Sequence, residues 1–152
     1  MLERLFPKTL EGGYRGHPVA RWVLIAFAIV TAGRSLVHIF FADGGAQSIA
    51  TIPLDTYSSG GAASVVTLMA MWGLSQLIAA FVYIVVLWRY PALIPLVWVL
   101  FVFEWGGRLL IGAWKPLDAA GTPPGAVGNL MLPFVGVAML ALSLRERPAP
   151  EP

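Results

Sequence analysis

Two ionisable residues lie one helical turn apart inside a long apolar stretch. Glu104 and Arg108 interrupt the segment from Leu96 to Trp114, which otherwise holds only apolar residues and glycines. Residues at i and i+4 share one face of a helix, so the carboxylate and the guanidinium can pair. Inside a membrane such groups are costly and usually face protein, which makes this pair a candidate site. In a reaction, the carboxylate would be the acid or base and the guanidinium would hold an anionic group.

Polar residues also interrupt the other apolar stretches. Arg34 and His38 are four residues apart in the first stretch, while Gln76 and Asn129 lie in two others. If these stretches form antiparallel helices across a membrane, the polar side chains reach similar depths in its outer half. The sequence therefore predicts a cluster of six residues, which are Arg34, His38, Gln76, Glu104, Arg108 and Asn129.

The charges of the predicted cluster do not balance. Glu104 is its only acid and can pair directly with Arg108 or across to Arg34. Because both arginines are cationic, one positive charge remains when His38 is neutral. Two interpretations follow. The cluster is either a structural network that joins helices or the lining of a site for an anionic ligand.

His38 has two possible roles of its own. We expect it to be a hydrogen-bonded structural residue, and the alternative is axial ligation of a haem or another pigment. The only other histidine, His17, precedes the first apolar stretch and lies at its opposite end, which excludes a haem held by two histidines of one chain. The sequence predicts no metal site and assigns no catalytic residue.

The composition is that of a polytopic membrane protein. Hydrophobic residues make up 58% of the 152 residues, charged residues make up 12%, and the mean hydropathy is +0.77. A soluble domain is about 25% charged. The chain has no cysteine, which excludes disulfides, thiolate catalysis and iron–sulfur ligation. No basic cluster is interleaved with aromatic residues, so nucleic acid is not an expected partner.

The expected fold is all-α, with four transmembrane helices in a bundle. A helix of about 20 residues spans the hydrocarbon core of a bilayer. We place a leader at 1–21, a transmembrane domain at 22–144 and a tail at 145–152. The predicted spans are about 22–41, 61–88, 94–114 and 126–144.

Lysine and arginine counts predict the orientation. The leader holds four of these residues, the second loop one and the tail two, whereas the first and third loops together hold only Lys115. Cytoplasmic segments carry the excess of positive charge. Both termini are therefore predicted to be cytoplasmic, with loops 42–60 and 115–125 in the periplasm.

Small and aromatic residues give two further expectations. The pair Gly106-Gly107 predicts a close helix approach, with Gly73 as an opposing small residue. Tryptophans at the predicted span ends are expected to anchor the interface. Three others, Trp72, Trp98 and Trp105, could face lipid or protein.

A short motif resembles a known group. The stretch Phe103-Glu-Trp-Gly-Gly-Arg-Leu-Leu-Ile-Gly-Ala-Trp114 is similar to the third helix of small four-helix bacterial membrane proteins of the broad DoxX-like type. The loop with Asp43-Gly44-Gly45, followed by a helix rich in small residues, is also similar. The resemblance implies four helices in a bacterial inner membrane and no particular activity. A more distant resemblance is to sterol-isomerase-type membrane proteins, which use more intramembrane histidines and glutamates than this chain has.

The expected function is that of a non-catalytic accessory subunit or binding scaffold. Its partners would be the lipid bilayer and other membrane protein chains. The alternative is a small membrane enzyme or carrier for an anionic or lipid-like molecule, with Glu104 as the acid or base and Arg34 and Arg108 at the head group. A single acid and the lack of an internal repeat argue against a secondary transporter.

Overall fold

The computed structural model describes residues 2–10 and 13–145, and this part of the chain is helical without strands. Two short 3₁₀ turns, Leu54–Thr56 and Pro91–Leu93, precede the third and fourth helices. The predicted all-α class and its four apolar helices are confirmed, because α2 to α5 are each long and apolar enough to cross a membrane. The helices are α1 (Leu2–Leu5), α2 (Pro18–Phe40), α3 (Ser59–Arg89), α4 (Ile94–Trp114) and α5 (Ala126–Leu144).

Helix α2 begins four residues before the predicted span. Pro18 occupies its first turn, where a missing N–H costs nothing. The imidazole of His17 accepts a hydrogen bond from the Val19 amide at 3.3 Å and so caps the helix. The Ser58 hydroxyl likewise accepts from the Gly61 amide at 3.2 Å and starts α3. Polar caps thus extend these helices beyond the apolar stretch that defines the span.

Two glycines fix how the helices approach each other. A Cβ atom at Gly73 on α3 would lie 2.7 Å from the Cβ of His38 on α2, so these backbones meet there. A Cβ at Gly136 on α5 would lie 2.9 Å from the Phe101 ring on α4. The pair Gly106-Gly107 faces open space, where a Cβ would meet nothing within 4 Å. The structure therefore does not place the predicted close approach at this pair, and Gly73 opposes α2 instead.

An aromatic core joins α2 to α4 on the leader side of the molecule. The Phe27 ring on α2 lies 4.8 Å from the Phe101 ring on α4, edge to face, and the Trp98 ring lies 5.1 Å from Phe101. Trp98 is fully buried. Aromatic pairs at these separations contribute roughly 0.5–1.5 kcal/mol beyond their burial. The core therefore supports the end of α4 that precedes the polar residues.

The first long loop is folded onto the helices. Gly44 and Gly45 both adopt positive φ, and the Asp43 carboxylate accepts hydrogen bonds from the amides of Gly45 at 2.9 Å and Ser48 at 2.7 Å. Ala46, Ile52 and Leu54 form a small buried cluster beneath it. Desolvation opposes ionisation of Asp43, but the amide hydrogen bonds outweigh it and hold the pKa at about 2.

The two loops at this end of the molecule are joined to each other. The Thr51 hydroxyl donates to the carbonyl of Gly121 at 2.8 Å, and the Thr51 carbonyl accepts from the Ala120 amide at 2.8 Å. Thr51 itself has φ +57°, which is unusual for a β-branched residue. The loop between α2 and α3 therefore holds the loop between α4 and α5.

The leader contacts the last turn of α5. The His17 amide donates to the Leu142 carbonyl at 3.0 Å, and the Arg4 guanidinium donates to the Leu144 carbonyl. The Tyr14 hydroxyl donates to the His17 carbonyl at 2.9 Å, and burial raises its pKa to about 12. The start of α2 and the end of α5 therefore lie on one side. The predicted tail lies, apart from Arg145, outside the described residues.

Candidate functional site

A hydrogen bond between two helices forms the first part of the site. The Nε of Arg34 on α2 donates to the Oε1 of Gln76 on α3 at 2.9 Å. Gln76 lies three residues after Gly73, on the turn that follows the closest approach of the two backbones. The absence of a side chain at Gly73 thus lets α3 lie near enough for a direct bond. Gln76 is 4% exposed, so this bond is shielded from the surroundings.

The second part of the site is the pair of Glu104 and Arg108, whose four-residue spacing places them on one face of a helix. The guanidinium of Arg108 donates to the carboxylate of Glu104 across one turn of α4, and the two form an ion pair. Their side chains are 25% and 38% exposed, respectively. The pair therefore lies at the edge of the helix packing and is only partly covered by protein.

Two tryptophans connect these two parts. The guanidinium carbon of Arg34 lies 5.2 Å from the centroid of the Trp72 ring and 5.6 Å from that of Trp105. The corresponding distances for Arg108 are 5.0 Å and 4.6 Å. Both arginines therefore lie within cation–π range of the same two indoles. We call this group the arginine–tryptophan cluster, which consists of Arg34, Trp72, Gln76, Glu104, Trp105 and Arg108.

The cluster carries one net positive charge. It contains two guanidinium groups and one carboxylate, and a guanidinium stays protonated under ordinary conditions. The electron-rich faces of the indoles offset part of this excess, since each such contact is worth roughly 0.5–2 kcal/mol depending on desolvation. The tryptophans thus stabilise the cations that Glu104 cannot neutralise.

Trp72 and Trp105 were not predicted as members of the site. Trp105 is buried at 7% exposure, whereas Trp72 is 37% exposed. Trp72 precedes Gln76 by four residues and therefore shares its helical face. The four-residue spacing between Trp72 and Gln76 is the sequence signal that could have placed Trp72 with the polar residues.

His38 lies beside the cluster and connects it to the first loop. Its Nδ1 is 2.7 Å from the Gly44 carbonyl, so Nδ1 must carry the proton that it donates. Its ring centroid lies 4.8 Å from that of Trp72, with the ring planes tilted by 33°. His38 is 4% exposed. It therefore holds the folded loop against the helices.

Axial ligation through His38 does not fit this arrangement. Only Nε2 could bind a metal, because Nδ1 is already hydrogen-bonded to Gly44. The Nε2 atom is buried, and α3 passes directly over the residue at Gly73. A macrocycle on Nε2 would require the two helices to separate.

Two buried nitrogens in this region have no hydrogen-bond partner within the described residues. They are Nε2 of His38 and Nε2 of Gln76. The first needs a donor, since its ring proton is on Nδ1, and the second is itself a donor. An unpaired buried polar group costs about 1–3 kcal/mol. A water molecule or a hydroxyl group can both donate and accept, so it can satisfy either atom.

Asn129 is placed away from these contacts. Its side chain is exposed in the first turn of α5, and none of the side-chain hydrogen bonds between the described residues involves it. Five of the six predicted residues, all except Asn129, are thus brought into the cluster or next to it. Over residues 2–10 and 13–145, no group of three His, Cys, Asp or Glu side chains could hold a metal ion.

The charged groups of the cluster are already engaged with one another. Glu104 is tied to Arg108, and no second carboxylate lies in the described part of the site.

Comparison of the chain with protein-family models, with curated proteins and with solved structures finds no match. The resemblance to DoxX-like proteins therefore stays a prediction.

Proposed function

We propose that the chain is a non-catalytic accessory or scaffold subunit of a membrane complex in a bacterial inner membrane. Its four helices would form a bundle with both termini in the cytoplasm, and loops 42–60 and 115–125 would face the periplasm. The arginine–tryptophan cluster would then hold α2, α3 and α4 in one arrangement. Lipid and other membrane protein chains would contact the outer surfaces of these helices.

The observation that carries the proposal is the pairing within the cluster. Arg34 donates to Gln76, and Arg108 pairs with Glu104. Each arginine also lies over both indoles. Because its partners come from three helices, such a network resists separation of those helices. A group already engaged in this way is poorly placed to bind a substrate.

The exposure of α5 supports the proposal that this helix contacts a partner protein. Its most apolar 18-residue stretch is 11% buried, against 22%, 28% and 33% for the corresponding stretches of the other three spans. Only Gly136 and Ser143 are buried in this helix. Large apolar side chains, including Phe134 and Val137, remain exposed along it. We propose that this face of α5 contacts another membrane chain.

Affinity purification from native membranes, followed by mass spectrometry, tests this proposal. We expect a membrane protein at a fixed ratio to the wild-type chain, and we expect Phe134→Ala to reduce its recovery. Phe81→Ala on α3 is the matched control, because both phenylalanines are 65% exposed. Absence of any partner at a fixed ratio would overturn the scaffold proposal. Equal loss with both variants would instead show that α5 is not the contact face.

A second candidate is a binding site for an anionic or lipid-like molecule at the cluster. The observations that favour it are the net positive charge and the unpaired Nε2 atoms of His38 and Gln76. In this case a small molecule should co-purify with the wild-type chain. Its loss from Gln76→Leu, but not from the lipid-facing control Leu74→Ala, would support this candidate. A small molecule that is retained equally by both variants would count against it.

A further inference from the structure

A cavity lined by basic and aromatic residues adjoins an apolar groove at the leader end of α2. The cavity measures about 370 Å³ and includes Arg15, Arg21 and Trp22 in its lining. The groove, of about 480 Å³, runs between α2 and α3. Ile25 lines both, so the groove begins where the cavity ends.

The chemistry of the cavity suits a phosphate group. Arg15 and Arg21 are exposed, and neither forms an ion pair with any other described residue. Guanidinium groups bind phosphate through paired charge-assisted hydrogen bonds. A neighbouring cavity of about 420 Å³ also includes Arg15 in its lining, together with Arg4 and the ion pair between Lys8 and Glu3. Among the described residues that line the two cavities Glu3 is the only acid, so positive charge is in excess there.

The chemistry of the groove suits a hydrocarbon chain. Its lining is entirely apolar apart from the indole nitrogen of Trp88, with Ala28 and Ala32 on α2 facing Ile84 and Leu87 on α3. Ile25 to Ala32 is seven residues, which corresponds to roughly 10 Å along a helix. The groove is therefore long enough for the upper part of an acyl chain, and it extends from the charged cavity toward the middle of α2.

Exposed tryptophans place this junction at the depth of lipid head groups. Trp22 on α2 is 68% exposed, and Trp88 at the end of α3 is 83% exposed. Tryptophan is enriched at the membrane–water interface. A molecule that fills both sites must carry its anionic group at the interface and its apolar part below it.

We propose that this composite site binds one anionic phospholipid. Arg15 and Arg21 hold the phosphate, and one acyl chain lies in the groove between α2 and α3. A soluble anion would use the cavity but not the groove, whereas a zwitterionic lipid would use the groove with less gain from the arginines. Of the three, an anionic lipid gains most from the cavity and the groove together.

Native mass spectrometry of the full chain in detergent tests the site. The probes are phosphatidylglycerol and phosphatidylcholine with identical acyl chains. We expect the wild type to bind phosphatidylglycerol in preference. The Arg15→Gln/Arg21→Gln variant should bind phosphatidylglycerol roughly tenfold more weakly, because each basic residue near an anionic head group strengthens the binding. Ala32→Leu should weaken the binding of both lipids by filling the groove.

Arg145→Gln is the matched control, since it removes one exposed positive charge from the same side without altering either lining. It should leave the preference for phosphatidylglycerol unchanged. Both arginine substitutions lie on exposed side chains, and circular dichroism checks that the variants remain helical. Unchanged lipid preference in Arg15→Gln/Arg21→Gln would overturn the proposal. Full competition by inorganic phosphate, with Ala32→Leu behaving as the wild type, would overturn it in favour of a soluble anion site.

Discussion

The guanidinium groups of Arg34 and Arg108, which belong to different helices, lie over the same two indole rings. Like charges held this close would repel in an apolar setting. The Glu104 carboxylate and the indole faces together offset that repulsion. The two cations are thus stabilised by a shared set of partners. Substitution of any one partner should therefore weaken the interactions of both arginines.

Arg34→Lys should destabilise the fold, although it keeps the charge. Lysine lacks the planar group that stacks on indole rings and that reaches Gln76 through Nε. We expect a loss of about 1 kcal/mol in the free energy of unfolding in detergent. Arg145→Lys, at the exposed end of α5, is the control and should change nothing measurable. Equal stability of the Arg34 variant and the wild type would show that the stacking contributes nothing.

Glu104→Gln should destabilise the fold by about 1 kcal/mol, because it leaves two cations without a compensating charge. Arg108→Gln should also be destabilising, since it leaves the Glu104 carboxylate without its partner. The double variant should lose less than the sum of the two single variants, which a thermal unfolding cycle in detergent measures. Asp118→Asn makes the same chemical change in an exposed loop and serves as the control. Strict additivity would contradict a direct interaction.

Gly73→Ala should weaken the contact between α2 and α3. The new methyl group would lie 2.7 Å from the Cβ of His38, so the helices must move apart, at about 1–3 kcal/mol. Gly106→Ala is the matched control, because its Cβ would meet nothing within 4 Å. We expect that control to be neutral or slightly stabilising, as alanine favours helix. Thermal unfolding of both variants compares the two sites, and equal effects would contradict the assigned approach.

Asp43 should make the first loop sensitive to acid. Its pKa is lowered from 3.8 to about 2, so the ionised form is favoured by folding. The stabilisation is complete above the unfolded pKa and is lost as the pH falls from about 4 through 2. The difference in melting temperature between the wild type and Asp43→Asn should therefore be constant above pH 4 and shrink below it. A difference that does not vary with pH would contradict this role.

The orientation can be tested by cysteine labelling, since the native chain contains no cysteine. Ser48→Cys in the first loop should react with a membrane-impermeant maleimide added to intact spheroplasts. Lys8→Cys in the leader should react only after the membrane is opened. The reverse pattern would show that the termini are periplasmic.

The apolar stretches predicted the number and approximate positions of the four long helices because length and hydropathy decide whether a helix can cross a bilayer. Helix α2 begins four residues before the predicted span because His17 and Pro18 continue the helix past the point where Arg21 interrupts the apolar stretch. Span limits depend on composition, whereas helix limits depend on caps.

The spacing of Glu104 and Arg108 indicated that they could pair, since residues four positions apart on one helix share a face. Contacts between helices were harder to infer. The depth argument predicted one cluster that includes Arg34, Gln76 and Asn129. The structure joins Arg34 to Gln76, whereas the Asn129 side chain is exposed, because depth alone does not specify which way α5 is rotated. Trp72 was missed because an aromatic residue in an apolar helix is usually assigned to lipid or core.

The contact between the leader and the last turn of α5 has a consequence for synthesis. Arg4 and the Leu144 carbonyl that it contacts are 140 residues apart in the chain. The leader emerges from the ribosome before α2, yet its partner emerges only with α5. The leader must therefore remain without these contacts while α2, α3 and α4 are made. Synthesis of α5 supplies them, so the contact forms only after all four long helices exist.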